Sequence, residues 1–120
     1  MKYKIKKLYT ENLNVSAFNN FIEDGKIKLN VNFNTDLLKS DNDFILKIYY
    51  SINSLENPIY LNWIGVAIID IENPQKEFDK DVFLLDNQIK EFVNKSVENF
   101  SFFMGGELPN LTDILEVNND

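Results

Sequence analysis

The 120-residue chain carries 12 Lys and no Arg against 19 acidic residues, a formal charge of -7 at neutral pH, and 44% of it is apolar, with ten Phe. It has no Cys and no His, so disulfides, thiol and imidazole nucleophiles and Cys/His metal sites are excluded, and the lack of Arg removes guanidinium clamps. One domain, residues 1–120, is expected, small enough for oligomerisation to add to its stability.

Charge is unevenly placed: residues 1–40 hold seven Lys against four acids, and residues 41–120 five Lys against fifteen acids. The acidic part disfavours nucleic acid as a partner. No stretch reaches the roughly eighteen uninterrupted apolar residues of a membrane span, and the basic start leads into no apolar signal core. A cytoplasmic protein without membrane contact is the expectation.

Residues 3–17 read as a first strand. Tyr3, Ile5 and Tyr9 share one parity, Lys7 breaks it and Leu8 falls on the other, so a bulge is placed between Lys7 and Asn12. Lys2, Lys4 and Lys6 alternate with Tyr3 and Ile5 as the solvated side of an edge strand does, which is preferred to a phosphate-binding arm. A second strand is expected over Lys26–Asn34, where Ile27, Leu29, Val31 and Phe33 alternate with polar residues. The turn Ser40-Asp41-Asn42-Asp43 leads to a third strand carrying Phe44, Leu46, Ile48, Tyr50 and Ile52 on one side. Residues 54–58 then turn into a fourth, Ile59–Ile71.

That fourth strand is apolar on both parities through its middle. One set is Leu61, Trp63, Gly65, Ala67, Ile69; the other holds Ile64, Val66 and Ile68 between Asn62 and Asp70. A second layer is expected on each side, supplied for a chain this short by another copy or a partner. The short polar turns imply an antiparallel meander, because parallel pairing needs long crossovers.

Residues 75–85 show no clean period. After them Ile89, Phe92, Val93, Val97, Phe100, Phe103 and Met104 recur at helical intervals, with Asp86 as N-cap and Gly105-Gly106 as stop, about nineteen residues or roughly 28 Å. A short second helix is expected over Leu111–Val117. The fold class is therefore α+β: a four-stranded antiparallel meander sheet followed by one long and one short helix.

No spacing in the chain names a reaction. Asp41-Asn42-Asp43 and Asp79-Lys80-Asp81 open like calcium loops but lack the glycine and closing acid that wrap the ion, and they read as turn caps. Gly105-Gly106 has no following Lys to make a phosphate loop. Catalytic residues, metals and cofactors are accordingly assigned as none. Trp63 reads first as core or interface. Phe102 stands out, since it lies about 160° round the helix from Phe100 and needs a subunit or an apolar client to cover it.

The chain resembles the SecB family of bacterial export chaperones and its diverged relatives. Leu8-Tyr9 through Leu13 resembles the family's opening strand, and Trp63-Ile64-Gly65-Val66-Ala67-Ile68-Ile69 its apolar strand with a glycine. Phe103-Met104-Gly105-Gly106-Glu107-Leu108-Pro109-Asn110-Leu111 resembles the end of its long helix and the turn after it. Absent are the family's Cys-Pro and Leu-Phe-Pro motifs, and Thr112–Val117 replaces its closing proline-x-asparagine-phenylalanine. Ala67 stands where an aromatic is expected. Of the acids that dock the export motor ATPase only Asp70 matches, with Asn12 and Ser16 at the other positions.

The resemblance implies a dimer of dimers, with helices between two sheets, that holds unfolded or dedicated protein clients in apolar grooves, in protein transport or in antitoxin control. Client-binding candidates are Trp63, Phe102, Leu108, Leu111 and Ile114, and oligomer-interface candidates are Ile64, Val66, Ile68 and Phe100. The competing reading is an acidic inhibitor or immunity-type protein that binds one folded partner.

Overall fold

The structure, a computed structural model, describes residues 2–16, 30–54, 59–74, 79–104 and 107–118. Four antiparallel strands, β1 (Lys2–Ser16), β2 (Asn30–Ser40), β3 (Asp43–Asn53) and β4 (Tyr60–Glu72), form one sheet in the order β1-β4-β3-β2. A six-residue 3-10 helix (Lys80–Leu85), a long helix α1 (Asn87–Met104) and a short helix α2 (Leu111–Asn118) follow. The meander β2-β3-β4 is thus extended by β1 beside β4, which puts β1 and β2 at the two edges. This is the α+β arrangement expected from the pattern. The link from β1 to β2 and the Gly105-Gly106 stop lie outside the described residues.

β1 contains two bulges, because its pairing with β4 slips between Ile5 and Lys7 and again between Thr10 and Asn12. Lys6 and Glu11 are the extra residues, and each slip flips the side-chain parity. Tyr3, Ile5, Leu8, Thr10, Leu13 and Val15 therefore share one side despite their mixed numbering. The bulged residues also carry the two ion pairs that cross β4: Lys6 reaches Asp43 of β3 at 3.1 Å, and Glu11 meets Lys47 of β3 at 3.3 Å.

β2 begins at Asn30 among the described residues and runs on to Ser40, six residues past the expected end. Thr35 looks like a break in the apolar alternation, but it takes the inward position between Phe33 and Leu37 and is buried. The β2–β3 turn shrinks to Asp41-Asn42, with Ser40 and Asp43 paired and Asp41 at φ 52°, a conformation that Asp tolerates.

The core fills the space between the sheet and α1. Leu46, Ile48, Tyr50 and Ile52 of β3 and Leu61, Trp63, Ala67 and Ile69 of β4 meet Ile89, Val93, Val97, Phe100 and Met104 of α1, with Phe83 of the 3-10 helix and Leu111 of α2 closing the ends. Trp63 is its centre, with ring centroids 5.5 Å from Phe92 and 5.6 Å from Phe100 and its indole N–H donating to Thr10 Oγ1 at 3.0 Å. Gly65 makes room for that indole: a Cβ there would lie 2.5 Å from the Trp63 ring.

Asp86 caps α1, accepting from the backbone N–H of Gln88 at 2.8 Å and of Ile89 at 3.3 Å. The same carboxylate accepts from the Tyr3 hydroxyl at 2.7 Å, which ties the start of β1 to the helix. The buried stripe of α1 is narrower than expected. Phe103, placed on it by its spacing, is 60% exposed; at 100° per residue it sits about 80° from the centre of the stripe. Phe102, about 180° from that centre, is 85% exposed. Among the described residues no helix is long and apolar enough to cross a membrane.

Candidate functional site

A groove of about 710 Å³ runs between the start of β2 and the connection from α1 to α2, lined by Val31, Asn32, Phe33, Glu107, Leu108, Pro109, Asp113 and Ile114. The connection is held open by anchors rather than by a repeating backbone pattern. Tyr50, rising from the sheet, donates its hydroxyl to the Pro109 carbonyl at 2.6 Å. Ser101 Oγ accepts from the Leu108 N–H at 3.1 Å and donates to the Val97 carbonyl, while Asn94 Oδ1 accepts from the Leu111 N–H at 2.9 Å. Asn110 and Asp113 cap each other's backbone N–H at 3.0 Å, starting α2 with a reciprocal box. Leu108 and Leu111 point inward and are buried, which leaves Pro109 and Ile114 as the wall opposite Val31 and Phe33.

Burial, and secondarily the charge of Asp113, hold the Tyr50 hydroxyl protonated well above its ordinary range. It therefore remains a donor to Pro109 throughout ordinary pH. The groove's ionisable lining is Glu107 and Asp113, and an adjoining hollow adds Glu91 and Glu98 with Lys95, itself paired to Glu91 at 2.8 Å. This end of the groove is acidic. It combines an apolar floor with negative rims and holds no nucleophile–base pair, an arrangement suited to holding an apolar segment with cationic flanks.

A second hollow of about 710 Å³ continues along β2 past Phe33, lined by Asn34, Thr35, Asp79, Lys80, Asp81, Val82, Leu84, Leu85 and Leu115. The two share Phe33. Asp79 caps the 3-10 helix by accepting from the Asp81 N–H at 2.9 Å, and Lys80 reaches across to donate to the Thr35 carbonyl at 2.5 Å. The stretch Asp79-Lys80-Asp81 thus serves as a turn cap and a bridge to β2.

The residues singled out in the sequence part company here. Leu108 and Ile114 line the groove. Leu111 and Trp63 are fully buried by their own chain, Leu111 as a peg under α2 and Trp63 beneath α1, so neither presents a surface to a client. Phe102 is exposed but lines none of the hollows described above; its ring pairs edge-on with Phe103 at 6.4 Å. Phe100, expected at a subunit interface, packs inside the chain against Trp63 and Tyr50.

Ile64, Val66 and Ile68 do lie together on the sheet face away from α1. Val66 is nonetheless 1% exposed in the single chain. In register it sits between Lys47 and Tyr9, with the Lys47–Glu11 pair joining the strands on either side of it. Only Ile64 and Ile68 remain half-exposed. Sequence reasoning missed Val31, Phe33, Glu107 and Asp113 as groove residues. The apolar parity of β2 marked the first two, but not that β2 is an edge.

No protein-family model and no curated protein matches the chain. Among solved structures it is similar to a SecB-like chaperone of Mycobacterium tuberculosis in complex with a ChAD peptide from the HigA1 antitoxin. The likeness has a TM-score of 0.56 at 10% identity and covers 82% of this chain and 84% of that one. A Streptococcus agalactiae protein of unknown function is similar at TM-score 0.44 and 14% identity over 84% of this chain and 88% of that one, too distant to carry an argument. The chain therefore shares the SecB-like fold.

Proposed function

We propose that this protein is a SecB-like, non-catalytic chaperone that holds an extended apolar segment of an unfolded or dedicated client in the groove between β2 and the α1–α2 connection. The observation that carries the reading is that groove: an apolar lining of Val31 and Phe33 on one side and Pro109 and Ile114 on the other, acidic rims, and a connection fixed by Tyr50, Ser101 and Asn94. The fold it shares with a chaperone bound to an antitoxin peptide supports the reading. Burying one large apolar side chain contributes about 1.5 to 3 kcal/mol, so three such contacts give about 4.5 to 9 kcal/mol before ordering costs, and backbone pairing along a strand edge is needed as well to approach the roughly 8 kcal/mol of a micromolar complex.

The half-exposed Ile64 and Ile68 and the exposed Phe102 and Phe103 fit a homo-oligomer, with a dimer of dimers as the proposed form. The client-binding assignment moves from the buried Trp63 and Leu111 to Val31, Phe33 and Ile114. The test is suppression of aggregation of a chemically denatured model protein. Wild type is expected to suppress it, and Val31→Ser with Ile114→Ser to lose most of the effect while keeping helix content and oligomeric state. Equal suppression by both would put the binding surface elsewhere. No suppression by wild type, together with retention of one folded partner, would favour an inhibitor of a folded protein.

A further inference from the structure

The outer edge of β2 is closed at one residue. Thr35 donates its N–H to the Asn34 side-chain carbonyl at 2.9 Å, and its own carbonyl accepts from Lys80 Nζ. Both groups face away from β3, because in an antiparallel strand the N–H and C=O of one residue point to the same side and alternate residues share that side. The β2–β3 register runs without a shift from Asn30 to Ser40, so the outward-facing groups two and four residues back belong to Phe33 and Val31. Those are the residues whose side chains line the groove.

We infer that Asn34 and Lys80 form a register stop: a bound extended segment pairs its backbone with Val31 and Phe33, and Thr35 ends the pairing. This rests on the client-binding reading and adds what that reading lacks, a fixed length for the bound segment. The occupant is a short peptide in extended conformation, apolar at alternate positions toward the groove and flanked by Lys or Arg to meet Glu107 and Asp113. Backbone pairing supplies sequence-tolerant affinity, and the groove selects the alternate side chains. Past the stop, Val82, Leu85 and Leu115 line the second hollow, but Lys80 stands between it and the edge. Lysine at a sheet edge is also a common guard against unwanted pairing, and here it closes the edge at Thr35, next to the groove.

The test uses the full chain and two fluorescent peptides, with tracts of three and of seven alternating Val and Thr residues, each flanked by Lys. Anisotropy gives their affinities for wild type, Asn34→Ala, Lys80→Met and the double variant, each first checked by circular dichroism and thermal melting. In wild type the long peptide is expected to bind within about twofold of the short one, since pairing ends at Thr35 in both. In the double variant the long peptide should gain about fivefold or more over the short, the worth of one or two net hydrogen bonds. Either single variant should show part of that gain, so the loss of one to misfolding leaves the others decisive. A long-to-short ratio that does not change on uncapping, with or without new self-association of the variant, overturns the stop while leaving the groove reading intact. Failure of both peptides to bind any form overturns the groove reading and the stop together.

Discussion

Gly65 and Trp63 show how one residue's size is dictated by another's. The indole lies across Gly65, and Phe92 closes on the same spot with its ring 3.1 Å from where a Cβ would sit, so neither aromatic can retreat without disturbing α1. Gly65→Ala is expected to destabilise the fold by about 1 to 3 kcal/mol, the ordinary cost of overpacking a core, with a matching fall in Tm. An unchanged Tm would mean that the indole has another place to go. Tyr3 gives a second residue-level prediction. Burial, then the hydrogen bond to Asp86 and that residue's charge, push the Tyr3 hydroxyl up to about 12 from its usual 10. The folded state thus keeps a proton that the unfolded state releases above pH 10. Its contribution is fully present below pH 10 and is lost as pH rises from 10 toward 12. In urea titrations at pH 8 to 12, Tyr3→Phe should be less stable than wild type at pH 8 and should lose less stability on going to high pH; parallel curves would show that Tyr3 is not the group responsible. That Trp63 and Gly65 share one parity was legible, but not that the indole lies across the glycine, nor which side of the strand carried the helix, since both parities are apolar.

At the scale of elements, strands whose alternation is strict were legible, and those that change register were not. β3 appears as its pattern predicted, with Leu46, Ile48, Tyr50 and Ile52 all inside. β1 showed only that something slipped, because two bulges five residues apart restore the original parity and leave a pattern that looks like one irregularity. The 3-10 helix left no periodic trace at all: six residues are too few, and its two buried side chains, Phe83 and Leu84, are adjacent. The α1–α2 connection is the element on which the groove depends, and besides the local Asn110–Asp113 box and Ser101 it is fixed by Tyr50, 59 residues from Pro109, and Asn94, 17 residues from Leu111, which no local pattern shows. Tyr50→Phe removes the hydroxyl that holds Pro109 and leaves its carbonyl to find water. That change is expected to cost about 1 kcal/mol of stability, and to weaken client binding more than stability alone explains, because the groove wall loosens. Chemical denaturation alongside client affinity checks it; unaltered affinity would show that the wall is held without Tyr50. Asp86→Ala removes the cap of α1 and the acceptor of Tyr3 together, and its cost in denaturation should exceed the typical ~1 kcal/mol of a lost N-cap.

For the whole molecule, the second apolar side of β4 led to the expectation of a covering layer, and the structure divides that expectation. The chain shields Val66 with neighbours and a charged bridge, and leaves Ile64 and Ile68 half-open. Val66→Asp would therefore bury a charge within one chain and damage the fold itself, whereas Ile64→Lys with Ile68→Lys tests association alone. Light scattering coupled to size exclusion is expected to show wild type at four times the 14.0 kDa chain mass, and the double Lys variant at a smaller size with the same helix content. A wild-type monomer at micromolar concentration would remove the assembly and leave the groove to act alone. The central claim is that the groove beside β2 holds the client. Hydrogen exchange on the full chain, with and without a denatured client protein, tests it most directly by reporting every backbone amide at once. Added client is expected to slow exchange at Val31 and Phe33 and in the segment from Leu108 to Ile114, while Ile64 to Ile68 stay unchanged. Protection confined to the β4 face, or none anywhere while the client is demonstrably bound, would contradict the account.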